Sequence, residues 1–223
     1  MPTRPLVQVQ DRVLPASLHA RLAAAVRALG TEGLATTYQT TFWFELGAPS
    51  ALPELAILAL APRLPLRGLA GVEWWLSRMR TSDVRVDFHR DLDERLYRAT
   101  GRVVHPAFTS VLFLNRCRGG LLAVTEAAPN PARPACAPDP LDADLVRPWP
   151  NRLALIRGSA THGVLDADGC VPAEPIARAT GLRLALIVNG WRHRPTRVPA
   201  FARARRYPSL RLATGGRKAP AGS

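Results

Sequence analysis

Apolar residues recur at helical spacing early in the chain and at strand spacing through its second half. From Pro15 to Leu29 the positions Leu18, Leu22, Ala25, Val26 and Leu29 predict an amphipathic helix with Ser17 as its cap. Gly30 and Gly33 follow, and the β-branched and aromatic run Thr36–Leu46 predicts a strand. Ser50–Ala61 reads as a second helix. After breaks at Pro62, Pro65, Gly68 and Gly71, Val72–Met79 reads as a third helix, a supporting layer. From Ser82 the texture changes to five short β-rich runs between polar or Gly/Pro turns: Asp83–Asp91, His105–Asn115, Gly119–Ala127, Asn151–Gly158 and Leu182–Trp191. Such a series predicts a sandwich or barrel. Between the third and fourth runs, Ala127–Pro150 carries seven prolines and reads as an excursion from the sheet.

The chain has 223 residues and is 47% hydrophobic, enough for the core of one domain. The expected organisation is a single domain over residues 1–213: a scaffold at 1–81, a barrel core at 82–195 and a basic extension at 196–213, with 214–223 as a disordered tail. The longest apolar run, Leu55–Ala61, is far short of the roughly 20 residues needed to cross a bilayer. The opening residues lack the apolar stretch of a secretory signal, so a cytoplasmic location is expected. Cys117, Cys136 and Cys170 are widely spaced and form no CxxC pair, which argues against a disulfide framework and a thiolate zinc site. The net charge of +13 first suggests a nucleic-acid partner. However, Lys218 is the one lysine among 30 basic residues, in a chain rich in Ala, Pro and Gly, as GC-rich coding alone would produce. Nucleic acid is therefore disfavoured as a partner. No acidic residue follows Glu174, which leaves the C-terminal segment as a basic arm, solvated or attractive to an acidic partner.

The chemistry concentrates in Val84–Asp91. Alternation puts Val84, Val86 and Phe88 on one face and Arg85, Asp87, His89 and Asp91 on the other. His89 and Asp91 thus point the same way, as an imidazole and a carboxylate that chelate one metal ion do. Alone, the HxD triplet equally describes a solvated polar strand face. His162, after the apolar run Asn151–Gly158, is the candidate third ligand, and two histidines with one carboxylate make the facial triad of non-haem Fe(II) sites. His105, before Pro106 at a strand entrance, is open to substrate or metal but reads rather as a loop or core histidine, and His19 and His193 read as structural. Asp93 and Glu94 read as partners of Arg90, Arg95 or Arg98, Asn115 and Gly119-Gly120 as a turn, and Trp74, Trp75 and Trp191 as packing residues. Neither GxxxxGK[ST] nor GxSxG occurs, so nothing supports an NTPase or an α/β-hydrolase.

Four pieces in order, His89-Arg90-Asp91, Ser110–Thr125, Pro148–Val164 and Gly181–Trp191, give the chain from Val84 to Trp191 a pattern that resembles the Fe(II)/2-oxoglutarate-dependent dioxygenase superfamily, in particular its prolyl-hydroxylase-like branch. The resemblance implies a mainly β fold with flanking α, a double-stranded β-helix (jelly-roll) core preceded by N-terminal helices. It implies Fe(II) held by His89, Asp91 and His162, and 2-oxoglutarate as cosubstrate with its far carboxylate on Arg183. The implied activity is hydroxylation, or desaturation or ring closure, of a small-molecule, amino-acid or peptide substrate, with succinate and CO2 released. Halogenation is disfavoured because Asp91 stands where related halogenases have a small residue. The pattern departs in two places. Arg183 lies 21 residues beyond His162, so that Asp166–Ala179 is an insertion and Arg178 the fallback. No tyrosine shortly precedes His89, where Met79 and Arg80 stand instead. The rival to an enzyme is a non-catalytic jelly-roll protein that binds an acidic partner, or nucleic acid, through its basic surface.

Overall fold

Helix α1 (Ala16–Ala28) forms where the apolar spacing predicts it and buries Leu22 and Val26, but Pro15 rather than Ser17 stands at the cap and no side chain caps the first turn. Helix α2 (Leu52–Leu60) carries Pro53 in its first turn, where its fixed φ and missing N–H cost nothing. Its Glu54 reaches back to accept the Ser50 N–H at 2.6 Å and the Ser50 hydroxyl at 2.8 Å. In this computed structural model residues 5–30, 40–80, 88–128, 143–165 and 182–213 are described. The strands are β1 (Val7–Asp11), β2 (Phe42–Phe44), β3 (Gly71–Arg80), β4 (Phe108–Phe113), β5 (Leu121–Thr125), β6 (Ala143–Val146), β7 (Arg152–Arg157), β8 (Thr161–Leu165) and β9 (Leu182–Trp191), with helix α3 (Glu94–Thr100) before β4.

Six strands form one antiparallel sheet in the order β1-β7-β4-β9-β3-β2, and three form a second in the order β6-β5-β8. Successive segments cross between the sheets, as in a jelly roll: β3 in the large sheet, then His89 at the edge of the small one, β4 in the large, β5 and β6 in the small, β7, β8 and β9 alternating. The outer face of the large sheet, with Trp74, Leu76, Leu112, Leu184 and Leu186, packs on Leu22, Val26, Ile57 and Leu60 of the two helices. Its inner face, with Val111, Phe113, Ala154, Ile156, Ala185 and Ile187, packs on Leu122, Val124 and Val146 of the small sheet. The expected mainly β jelly roll with N-terminal helices is the fold observed.

Several elements differ from expectation. Val72–Met79 is not a helix but lies within β3, paired with β9 from Gly71↔Trp191 to Arg80↔Leu182. It is covered on both faces, Trp74 and Leu76 outside and Trp75 inside, so no period of two shows in its sequence. The six-stranded sheet thereby draws β1, β2 and β3 from the stretch expected to be scaffold. Of the strand expected at Thr36–Leu46, Phe42–Phe44 is observed and residues 31–39 lie outside the described part, as do residues 83–87 of the run expected at Asp83–Asp91, of which His89 forms an isolated bridge. The Pro-rich excursion contains β6, and His162 rides on a strand, β8, rather than on a turn. The basic extension is anchored by Phe201, Tyr207 and Leu210, all buried in the outer core. Cys117 is a buried free thiol, while Cys136, Cys170 and the tail from residue 214 lie outside the described residues. Among the described residues no helix is long and apolar enough to cross a membrane.

Candidate metal centre

The two candidate histidines are held by each other's backbone. His89 N donates to His162 O at 3.0 Å and His162 N donates to His89 O at 2.9 Å, an antiparallel bridge at the free edge of β8. Such a bridge sends both side chains to one face, and the imidazole centroids lie 4.5 Å apart. Asp91, two residues on, completes the group: His89 Nε2 is 3.5 Å from Asp91 Oδ1 and His162 Nε2 is 3.7 Å from Asp91 Oδ2. One donor atom from each of the three residues lies within 4.8 Å of the others. Facial ligands about 2.1 Å from one ion stand roughly 3 Å apart, so inward movement of under about 1 Å would close this set on a metal. Two imidazole nitrogens and a carboxylate oxygen suit a divalent transition metal, Fe(II) included, and leave further positions open. The His89 side chain is 40% exposed, against 12% for Asp91 and 10% for His162, so the open side of the group is the His89 side.

The neighbouring contacts orient each donor. Asp91 Oδ2 accepts from Thr109 Oγ1 at 2.9 Å and from Asn189 Nδ2 at 3.1 Å, and these two residues are register partners on β4 and β9. Asp91 O lies 2.6 Å from His105 Nδ1. Ala160 O lies 3.1 Å from His162 Nδ1, a contact that puts the proton on Nδ1 and leaves the Nε2 lone pair facing Asp91. Arg90 Nε donates to Thr161 Oγ1 at 3.1 Å. Burial would raise the Asp91 carboxyl, yet the charge of His162, the charge and hydrogen bond of His89 and the Thr109 hydroxyl hold it well below the usual carboxylate range. Burial pulls His162 below its ordinary value; the Asp91 charge opposes this and His89 adds to it. Glu73 is pushed up to about 7, chiefly by burial and further by the charges of Asp91 and Asp93, against hydrogen bonds from Thr41 and the Trp191 indole. Asp93 does not pair with an arginine as expected: it caps α3 at Leu96 N and accepts from the Thr196 N–H and hydroxyl. Glu94 does pair with Arg98, at 2.7 Å.

Arg183 enters the barrel from the start of β9, on the same inner face as Asn189. Its Nε donates to Gly120 O at 3.0 Å, its Nη1 donates to Ser77 Oγ at 3.2 Å, and its guanidinium lies 5.1 Å from the Phe113 ring centroid. Ser77 is the register partner of Ala185, so the side chain leans along β9 toward the metal end. Gly120 makes room for it: φ is +73°, and a Cβ there would stand 2.5 Å from Arg183 Cδ. Burial pulls the Arg183 pKa down to about 10, so it remains a cation at neutral pH, and burial pushes the neighbouring Cys117 thiol up. Its hydrogen-bond partners are neutral, and among the described residues no carboxylate pairs with it. A buried cation with neutral partners alone is costly, which makes the position fit for the carboxylate of a bound molecule. Arg178 and the expected insertion Asp166–Ala179 lie outside the described residues. His19, on α1, and His193, edge-on to Trp191, stand apart from the triad.

Sequence reasoning missed Thr109, Asn189 and Glu73, and gave His105 no contact with the Asp91 backbone. The signal for Thr109 and Asn189 was a hydrogen-bonding side chain inside a continuous apolar run, where nothing but a specific partner repays burial.

No protein-family model matches the sequence, and no curated protein matches it. Among solved structures the chain is similar to a prolyl-4-hydroxylase of Pseudomonas putida at 19% identity and a TM-score of 0.51, over 85% of this chain and 86% of that one. It is also similar to prolyl 4-hydroxylase of Phytophthora capsici at 17% identity and a TM-score of 0.52; there 88% of this chain covers 61% of the other, so it spans about three fifths of that protein's length. The double-stranded β-helix expected from the order of the sequence motifs is the fold this chain has in common with the prolyl 4-hydroxylases.

Proposed function

We propose that the protein is a non-haem Fe(II)- and 2-oxoglutarate-dependent oxygenase, cytoplasmic, that hydroxylates or otherwise oxidises an unactivated C–H bond of a small-molecule, amino-acid or peptidyl substrate and releases succinate and CO2. The observation that carries this reading is the convergence of His89, Asp91 and His162 donor atoms within 4.8 Å in a jelly-roll barrel. The buried Arg183, which has no anion among the described residues, adds to it. His89, Asp91 and His162 would hold the iron, and Arg183 would take the distal carboxylate of 2-oxoglutarate, a planar fork suited to a planar anion. When bound, the pair supplies oxygen activation coupled to oxidative decarboxylation, which no side chain can perform.

The chain's own part is positioning and exclusion of water. Thr109 and Asn189 bond Asp91 Oδ2 and so fix the carboxylate plane. Ala160 O fixes the His162 tautomer. Val111, Phe113 and Ile187, buried on the inner face between the metal end and Arg183, would exclude water from a cosubstrate held there. The exposed edge of His89 marks the side from which substrate approaches. Fold likeness to two prolyl 4-hydroxylases supports the reading, and a prolyl side chain belongs among the substrates to be tried. The test is succinate release from 2-oxoglutarate by protein loaded with Fe(II) in air. Wild type is expected to form succinate slowly without prime substrate, and Asp91→Ala to form at least about tenfold less. Wild type that forms no more succinate than Asp91→Ala would overturn the proposal.

A further inference from the structure

We propose that a cationic cleft beside the metal centre binds an anionic group of the substrate, a carboxylate or a phosphate, and so restricts the substrate class of the oxygenase proposed above, on which reading this inference rests. The cleft has a volume of about 430 Å³, and its lining includes Arg102, His105, Arg157, Ser159, Arg192 and His193, with no carboxylate among the described lining residues. Some arginines elsewhere pair with acids: Arg98 meets Glu94 at 2.7 Å and Arg152 meets Asp11 at 2.7 Å. In the cleft, Arg157 meets Glu126 at 3.1 Å with both side chains largely exposed. Among the described residues, Arg102 and Arg192 have no side-chain hydrogen bond or ion pair. Like charges brought together around one hollow repel, and an anion between them removes that cost.

The cleft is preformed. Gly101, at φ +72°, closes α3 by donating to Tyr97 O at 2.7 Å and so sets where Arg102 leaves the helix. Asp93 N donates to Val104 O at 3.0 Å, and Ala107 N donates to Gly190 O at 2.7 Å. Gly158 lies so close to Pro106 that a Cβ there would clash with the Pro106 carbonyl, so the approach of these two backbones needs glycine. These bonds tie together the exit of α3, the entry to β4 and the end of β9, where Arg192 follows Trp191. The wall residue His105 contacts the backbone oxygen of Asp91, so an anion held here lies beside the candidate metal ligands. It is a different place from the Arg183 position, which is at the opposite end of β9. Paired guanidinium forks match carboxylate and phosphate oxygens, and the volume admits a small molecule or one anionic side chain of a peptide.

The test uses metal-free full-length protein and two probes, inorganic phosphate and malonate, each titrated calorimetrically. Wild type is expected to bind at least one, and the probe preferred tells phosphate from carboxylate. The double variant Arg102→Gln/Arg192→Gln is expected to bind that probe at least about tenfold more weakly. Arg21→Gln/Arg27→Gln, which removes the same charge from exposed positions on α1, is expected to bind as wild type does. The inference is overturned if wild type binds neither probe, or if the α1 pair weakens binding as much as the cleft pair. The oxygenase reading is scored separately, by Fe(II) and 2-oxoglutarate binding, which the cleft pair is expected to leave unchanged. Anion binding at the cleft without that chelate would sink the oxygenase reading and leave the cleft standing.

Discussion

Two glycines with almost the same backbone allow the seat of Arg183 to be weighed. Gly101 has φ +72° and nothing within 4 Å of where a Cβ would stand, whereas Gly120 has φ +73° and a Cβ there would meet Arg183 Cδ at 2.5 Å and Cγ and Nε at 3.3 Å. Gly101→Ala carries only the left-handed backbone cost, about 1 to 2 kcal/mol. Gly120→Ala carries that same cost and must also displace Arg183, either by overpacking at about 1 to 3 kcal/mol or by breaking its bonds to Gly120 O and Ser77 Oγ. The expected difference between the two variants is therefore about 2 kcal/mol, with Gly120→Ala the less stable. Urea unfolding of the metal-free proteins measures it. Under the proposed function Gly120→Ala also needs at least about tenfold more 2-oxoglutarate to saturate, while Gly101→Ala does not. Equal stabilities within about 0.5 kcal/mol, which is the usual resolution of such comparisons, together with equal cosubstrate requirement would refute the seating of Arg183 against Gly120.

Three further outcomes follow from other contacts. Thr109→Val removes the hydroxyl that donates to Asp91 Oδ2 while keeping volume, so Fe(II) affinity is expected to fall about tenfold or more and Thr109→Ser to restore it, read by metal titration. Asn151, with φ +62°, accepts from Leu14 N and donates to Leu14 O inside the core; Asn151→Ala is expected to lower stability by about 2 to 4 kcal/mol in urea unfolding without changing metal affinity. Glu73 has a folded-state pKa raised from 4.5 to about 7, so the native protein keeps a proton that the unfolded chain has released between those values. Stability is thus lost as pH rises through that window, by up to about 3 kcal/mol. Glu73→Gln should lose correspondingly less between pH 5 and pH 8 in metal-free urea unfolding.

The sequence made the barrel legible where strands alternate or end in turn residues: His105–Asn115, Gly119–Ala127, Asn151–Gly158 and Leu182–Trp191 all contain observed strands. It misled at β3, where Val72, Trp75, Leu76 and Met79 fall at helical spacing because the strand is covered on both faces. It concealed β6 behind the prolines of Ala127–Pro150, and it left β1 unassigned although Val7-Gln8-Val9-Gln10 alternates strictly. The three donors of the candidate site were legible from residue type and order, since His89 and Asp91 share a triplet and His162 follows an apolar strand. What no spacing could show was the pairing of the His89 and His162 backbones, or the row of Thr109 and Asn189 beneath Asp91, because both depend on which strands become neighbours. The cationic cleft was hidden for the same reason: Arg102, Arg157 and Arg192 are distant in sequence and meet at one end of the barrel.

The central claim is that His89, Asp91 and His162 hold iron and that Arg183 holds the cosubstrate beside it. An anaerobic titration with Fe(II) and 2-oxoglutarate, followed by the weak visible charge-transfer band of the chelate, tests both parts together. The account predicts the band in wild type, its loss in His89→Ala and Asp91→Ala, and its weakening in Arg183→Ala. Metal binding by wild type without the band, or a band of full strength in Asp91→Ala, would contradict it.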